Sequence, residues 1–466
     1  MVINGIENST GRVSIPTCRC SSLDNFRNMR VLLILGTVLL CALVFADHQE
    51  GHHEGNDDHH EGHHEGNDDH RDQKHDHDHK DGHGKKGEDH HHNMSLSCQK
   101  LALYNSIFSF DLFRQVALDH PSENIVFSPV SISTAFSFLS VGAKAQTRSQ
   151  IIEGLRFNTS EISEQEIHEC FHNVLDLLNN VERELQLTVG NALFLSKDYK
   201  ILHAFLDEAK KLYHSEAFST DFKNTEEAKN QINTYVEKNT HGKIAELLNS
   251  VDEKAILYLI NYVYFKAKWQ KPFDEESTEE EDFHVNEKTT VKVPFMFRTG
   301  YYHVAIHDDA TVVSLPYKGD AKALIIMPKE GKLSEIEQHL CKEAIKKLKK
   351  SISYKFVQLR FPKVSVSGTI NLKETLSKLG IKDVFSDSAD LSGITGEPNV
   401  KISKGVHKAV LTVNEHGTEA AGATALEATP MMRPLSVKID QPFLILVYDY
   451  KTKSILFIGR IVNPQK

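Results

Sequence analysis

The sequence predicts an α+β fold for residues 98–466, and three observations carry that prediction. From about residue 98 onward the composition is globular, with plentiful apolar residues and no long low-complexity run. Helical periodicity dominates the first half of this segment. Strand-like runs dominate the second half, and this segregation points to large, mostly antiparallel sheets.

The elements follow in chain order. Ile107, Phe108, Phe110, Leu112, Phe113 and Val116 line one face at helical spacing. Residues 124–132 read as a short strand running into a helix that contains Ala135, Phe138, Leu139 and Val141. Helical patterns recur over 161–181, 200–214 and 225–239. Strand-like runs occupy 185–195, 256–268, 311–317, 322–328, 354–367, 407–413 and 442–461.

The chain ahead of this body divides into three parts. Residues 1–28 carry no recognisable targeting pattern. Met29-Arg30 then precedes an apolar run over 31–46 that ends in the small residues Val44 and Ala46, the pattern of a secretory signal peptide. At 16 residues the run falls short of the ~20 that span a bilayer, which argues against a membrane anchor. A secreted, extracellular chain starting near Asp47 is therefore expected, with no membrane partner. It would keep three cysteines, Cys98, Cys170 and Cys341. So sparse and odd a count allows one bridge and leaves the fold to its own core. A thiol left free in an oxidising compartment is open to mixed disulfides.

Residues 47–92 form a histidine-rich tail. Glu-Gly-His-His-Glu-Gly-Asn-Asp-Asp-His occurs at 50–59 and again at 61–70. The tail holds 15 of the 27 histidines and lacks any aliphatic or aromatic residue, so it is expected to be disordered. Its 15 Asp/Glu against 5 Lys/Arg give it the whole net charge of −10. The remainder is nearly neutral, which excludes a basic nucleic-acid-binding domain. Imidazoles mixed with carboxylates favour loose, multi-site capture of Zn²⁺, Cu²⁺ or Ni²⁺. The candidate ligands are His52, His53, His59, His60, His63, His64, His75, His77, His79, His90, His91 and His92. The bland alternative is a solvated spacer. His60-Glu61-Gly62-His63-His64 matches the metalloprotease motif H-E-x-x-H, but that motif needs a helix, and this stretch has no apolar stripe.

Residues 415–434 can be read on their own terms. The stretch is small and flexible, flanked by strand-like segments. Taken at period two, Thr418, Ala420, Gly422, Thr424, Leu426 and Ala428 share one face, while Glu419 and Glu427 lie on the other. A segment able to be both loop and strand suits a switch between two packings.

The order of short motifs then resembles the serpin family, most densely its antitrypsin-like members. The motifs are 124–132, Gly142-Ala143, 232–244, Asn261 to Trp269, 372–394, Val406 to Val410, and Gly459 to Pro464. They extend over roughly 98–466. Trp269, the single tryptophan, falls where serpins have one. The resemblance implies three β-sheets, eight or nine helices and an exposed reactive-centre loop. It implies a monomeric, non-enzymatic inhibitor of serine proteases that needs no cofactor. In that mechanism the loop is cleaved, and its N-terminal part inserts into the main sheet with the acylated protease still attached. Counting on from Glu415 places the scissile bond at Met431–Met432, suited to elastase- or chymotrypsin-like proteases. A register shifted by two would present Arg433 to a trypsin-like enzyme, although Pro434 makes that bond a poor substrate. The hinge Gly417, Thr418, Glu419, Ala420, Ala421, Gly422 and Ala423 keeps the inhibitory pattern. Ser128, Ser131, Asn261 and His407 match a cluster that controls sheet opening, and Lys363 and Glu415 match an opposite-charge pair. Asn93 and Asn158 are N-glycosylation sequons. Residues 161–181 contain no Lys, so a heparin-binding helix is not expected there. Some relatives are carriers, so a small hydrophobic ligand, a hormone or a tetrapyrrole such as haem or biliverdin, is the alternative partner.

Overall fold

A computed structural model describes residues 94–180, 183–398, 400–418 and 433–466. Residues 1–92 with the expected signal peptide and the tail histidines, Asn93, hinge residues Glu419 to Ala423, and Met431–Met432 lie outside the described residues. Among the described residues fifteen strands run in chain order: β1 (Ile125–Phe127), β2 (Leu185–Ser196), β3 (Glu216–Thr220), β4 (Leu257–Lys268) and β5 (Glu279–Asn286). They continue with β6 (Thr289–Ile306), β7 (Ala310–Pro316), β8 (Ala321–Pro328), β9 (Ser353–Pro362) and β10 (Val364–Asn371). The last five are β11 (Ile402–Val413), β12 (Gly417–Thr418), β13 (Leu435–Lys438), β14 (Phe443–Asp449) and β15 (Ser454–Ile461).

The sheet that matters most has the order β10-β11-β4-β2-β3, with β12 on the far end of β4. β4 is buried along nine consecutive residues, as expected of a strand covered on both faces. β10 alternates buried and exposed, the signature of an edge strand with one wet face. The other nine strands form one hydrogen-bonded network that reads as two sheets joined by β6. β6 pairs with β5 and β9 over most of its length and with β7 only at 303–306. The three sheets implied by the resemblance are thus present, two of them sharing a strand. The described residues include ten α-helical segments, one of them only four residues long.

The helix Pro129–Gly142 is the spine of the core. It is apolar and buried almost all round, as a helix surrounded by protein must be. It packs against both β4 and β15. Ser128 starts it, its hydroxyl accepting from the amide of Ser131, with Pro129 in the first turn where a missing N–H costs nothing. Phe138 stacks on Phe205 at 5.5 Å, fixing a second helix, His203–Tyr213, to it.

Cys98 and Cys170 form a disulfide between the helices Leu96–Asp119 and Glu164–Asn179, and Cys341 is a buried free thiol. Closing a loop across a separation of 72 residues is worth about 4 kcal/mol on the chain-entropy account. Among the described residues no helix is long and apolar enough to cross a membrane.

Candidate functional site

The candidate site is the gap at the upper end of the β11–β4 pair. β11 and β4 run parallel and stay paired from Ile402↔Leu257 to Val410↔Tyr264. Beyond that point they part. The chain leaves β11, reverses at 414–417 and returns as β12, antiparallel to β4, with Gly417 opposite Lys268 and Thr418 opposite Ala267. The reversal is closed by Asn414 N–H donating to Gly417 O at 2.8 Å, and Gly417 N–H to Asn414 O at 3.2 Å. A strand continuing in this direction would enter between two parallel neighbours and run antiparallel to both. Antiparallel ladders are slightly the more stable kind, so the sheet gains by admitting it. Gly417 has φ of +138°, and a Cβ there would sit 2.2 Å from the carbonyl oxygen of Ala267. Only glycine lets the chain turn this close to β4.

The turn is tied to the top of β4 by a dense set of bonds. Trp269 stacks on Tyr317 at 4.3 Å, and its indole N–H donates to Asn414 O at 2.9 Å. The backbone N–H of Trp269 donates to His416 O, and that of Phe273 to Glu415 O, each at 2.8 Å. Thr418 is fully buried, its hydroxyl 3.2 Å from that of Tyr317. Thr418 therefore faces inward, as its place on the small-residue face predicts. Glu415 is also buried. Its carboxylate accepts from the Thr278 hydroxyl at 2.7 Å and pairs with the Lys363 ammonium at 3.0 Å. Burial alone would raise its pKa. The Thr278 hydroxyl, its own backbone N–H and Lys363 outweigh that and hold it below the ordinary carboxylate value.

Lower down, Ser128, Ser131, Asn261 and His407 meet in one buried cluster. His407 on β11 and Asn261 on β4 are direct register partners, so their contact spans the pair that parts above. His407 Nδ1 bonds Asn261 Oδ1, and its Nε2 accepts from the Ser128 amide at 3.1 Å. Asn261 Nδ2 donates to Ser131 Oγ at 2.7 Å and to Asn191 Oδ1 at 2.6 Å. Burial pushes the His407 pKa down to about 3, so the imidazole is neutral and serves as both donor and acceptor.

The four residues named through the resemblance are brought together here, and Asn191, one of several polar residues in β2, was not singled out in the sequence. Thr278 and Tyr317 carried no sequence signal. Asn158 is exposed in a turn, its amide oxygen accepting from Ser160. Away from the gap, a pocket of about 250 Å³ lies between the helices Leu96–Asp119 and Lys342–Ser351 and strands β8, β14 and β15. Leu103, Phe110, Leu324 and Leu446 help floor it, and Lys322, Lys342, Lys346 and Lys349 stand at its rim. Burial and the neighbouring charge of Lys322 lower the pKa of Lys349 to about 8.

Comparison with known proteins gives consistent matches. A sequence model of the family described as "Serpin (serine protease inhibitor)" matches residues 103–464. The alpha-1-antiproteinase of Callosciurus caniceps is 49% identical over 370 residues, covering 79% of this chain and 90% of the relative. The alpha-1-antitrypsin of Sus scrofa is 48% identical, covering 79% and 88%. The crystal structure of human thyroxine-binding globulin, in complex with thyroxine, superposes with a TM-score of 0.76 at 39% identity, covering 79% of this chain and all of that one.

Proposed function

Because the chain belongs to the serpin family, we propose that it is a secreted suicide-substrate inhibitor of serine proteases. The observation that carries this reading is the pairing of Gly417–Thr418 with β4, in a gap whose direction suits one more antiparallel strand. A protease of the elastase or chymotrypsin class attacks the Met431 carbonyl with its serine hydroxyl. An ester forms, the peptide bond breaks, and the Met432 amine leaves. The freed segment from Glu419 onward then follows β12 into the sheet, taking the ester-linked protease with it. Ser128, Ser131, Asn261 and His407 set how easily β11 and β4 separate, and the Lys363–Glu415 pair holds the turn in place. Asn93 and Asn158 accept glycans. The tail histidines take up divalent metal independently of inhibition.

The test is incubation with elastase, chymotrypsin and trypsin. A covalent band that survives SDS, with mass spectrometry locating cleavage after Met431, is the expected result. Cleavage only after Arg433 would overturn the assigned bond, and plain turnover without a complex would overturn the inhibitor.

The lysine-rimmed pocket favours one second reading, a carrier of a small hydrophobic anion such as a hormone or a tetrapyrrole. Its aromatic and aliphatic floor suits a ring system, and the ammonium groups suit a carboxylate. Saturable fluorescence quenching by such a ligand, lost in Lys349→Glu, together with no protease complex, would select it.

A further inference from the structure

The helix Glu164–Asn179 starts where its sequence says it should. Ser163 and Glu166 form a reciprocal capping box, each side chain bonded to the other residue's backbone N–H. That start sets the helix phase and places His172 and Asp176, four residues apart, on one face. A third residue joins them from elsewhere. His214 ends the helix His203–Tyr213 in a left-handed conformation, φ 49° and ψ 30°. That position usually goes to glycine, and the left-handed turn carries the His214 ring to the same carboxylate. His214 Nε2 lies 2.8 Å from Asp176 Oδ1, and His172 Nε2 lies 3.4 Å from Asp176 Oδ2. The two rings are 5.5 Å apart at 36°, and the three ligating atoms lie within 4.8 Å of one another. Nδ1 of His172 is buried, so only its Nε2 faces the cluster.

We propose that His172, Asp176 and His214 bind a first-row divalent cation, zinc foremost. Two imidazoles and a carboxylate make a three-ligand borderline donor set, and the half-exposed side chains leave a fourth position for water. Ligand atoms around tetrahedral zinc, with bonds of about 2.0–2.2 Å, lie roughly 3.4 Å apart, so small rotations of the surface side chains must widen the 2.8 Å contact and narrow the widest separation in the cluster. Each imidazole ligates through its neutral Nε2, and its ring proton moves to Nδ1. The bound ion would join the helices Glu164–Asn179 and His203–Tyr213, the elements that precede β2 and β3 in the chain.

The test must separate this site from the histidines of the tail. Full-length protein is titrated with zinc chloride, and histidine carbethoxylation by diethyl pyrocarbonate is mapped by peptide mass spectrometry. His172 and His214 are expected to lose reactivity together, along a single binding curve. In Asp176→Ala that curve moves to higher zinc by more than about tenfold, since even outer-shell partners are worth 10–100-fold in affinity. Zinc at about 100 times its dissociation constant also raises Tm by roughly 3 °C, a rise that Asp176→Ala abolishes. Metal held only by the histidines of residues 47–92 would be blind to Asp176→Ala. Protection confined to residues 48–92, with His172 and His214 labelled at the metal-free rate, would overturn the proposal. So would an unchanged curve in Asp176→Ala.

Discussion

At its lower end the gap between β11 and β4 is closed by neutral groups, with His407, Asn261 and Asn191 bonded in a row across three strands. At its upper end the closure centres on a carboxylate, Glu415, held by Thr278 and Lys363 beside the stacked pair Trp269 and Tyr317. The lower clasp resists by stranding buried polar groups, since opening it leaves donors and acceptors without partners or water. The upper closure resists by charge and by a tight glycine turn, and one proton can loosen it. On the proposed mechanism, the adjustable contacts lie where the strand would enter and the rigid ones further down.

The comparison is broken most directly at the point of entry. Thr418→Arg would bury a cation in a site with no exposure, at a cost of several kcal/mol. The SDS-stable protease complex should vanish in favour of cleaved inhibitor. A complex at the wild-type ratio would mean that the inward position at 418 tolerates a charge while the segment after it inserts. Asn261→Ala attacks the lower clasp instead. It removes the partner of His407 Nδ1, Asn191 and Ser131 at once, and each orphaned group costs about 1–3 kcal/mol. Calorimetry should report a lower Tm with the upper turn still protected from amide exchange.

Gly417→Ala tests whether the upper turn is separable from the rest. Its strained φ and the contact with Ala267 O should cost about 1–3 kcal/mol, confined to the turn. Faster amide exchange at Thr418 and Trp269, with the His407 cluster unchanged, is the expected outcome.

Acid distinguishes the two ends more finely. Glu415 has a folded pKa below its unfolded value near 4.5, so its stabilising share is intact above pH 4.5 and is lost as pH falls through the lower folded value. His407 is depressed from 6.5 to about 3, so it too favours the fold above pH 6.5. Between those values the unfolded chain takes up a proton that the folded chain refuses, and stability declines by about 1.4 kcal/mol per pH unit. The lower clasp itself stays intact until about pH 3. Exchange at the upper turn should therefore rise below pH 4.5 while the clasp remains protected. Glu415→Gln should abolish that rise, and His407→Asn should flatten the global slope by one proton's worth. The smallest effect belongs to the tail. Deleting residues 47–92 should leave complex formation unchanged, while zinc uptake measured at pH 7 falls and the remaining capacity loses its steep release near pH 5.5.

The sequence by itself determined the α+β class, the principal helices and the buried strands of the central sheet, because amphipathic period is a local property. Ile107 to Val116 could be placed by counting alone, and the periodic run 161–181 located the helix Glu164–Asn179. The run 354–367 read as one strand, yet the structure breaks it at Lys363 and assigns β9 and β10 to different sheets. The run 442–461 is likewise a hairpin, β14 and β15. β5 and most of β6 escaped notice, because Glu279 to Asp282 and the alternating polar residues that follow look like solvent-exposed loop. What only the tertiary structure decided was every relation between distant residues. Thr278 reaches Glu415 across 137 positions, and Tyr317 reaches Thr418 across 101. Cys98 chose Cys170 over Cys341, and His214 joined His172 and Asp176 from another helix. Periodicity records which face of an element is buried. Which element lies against that face is settled by the packing of the whole core, and a hydroxyl or an imidazole carries no local mark of the partner it will meet there.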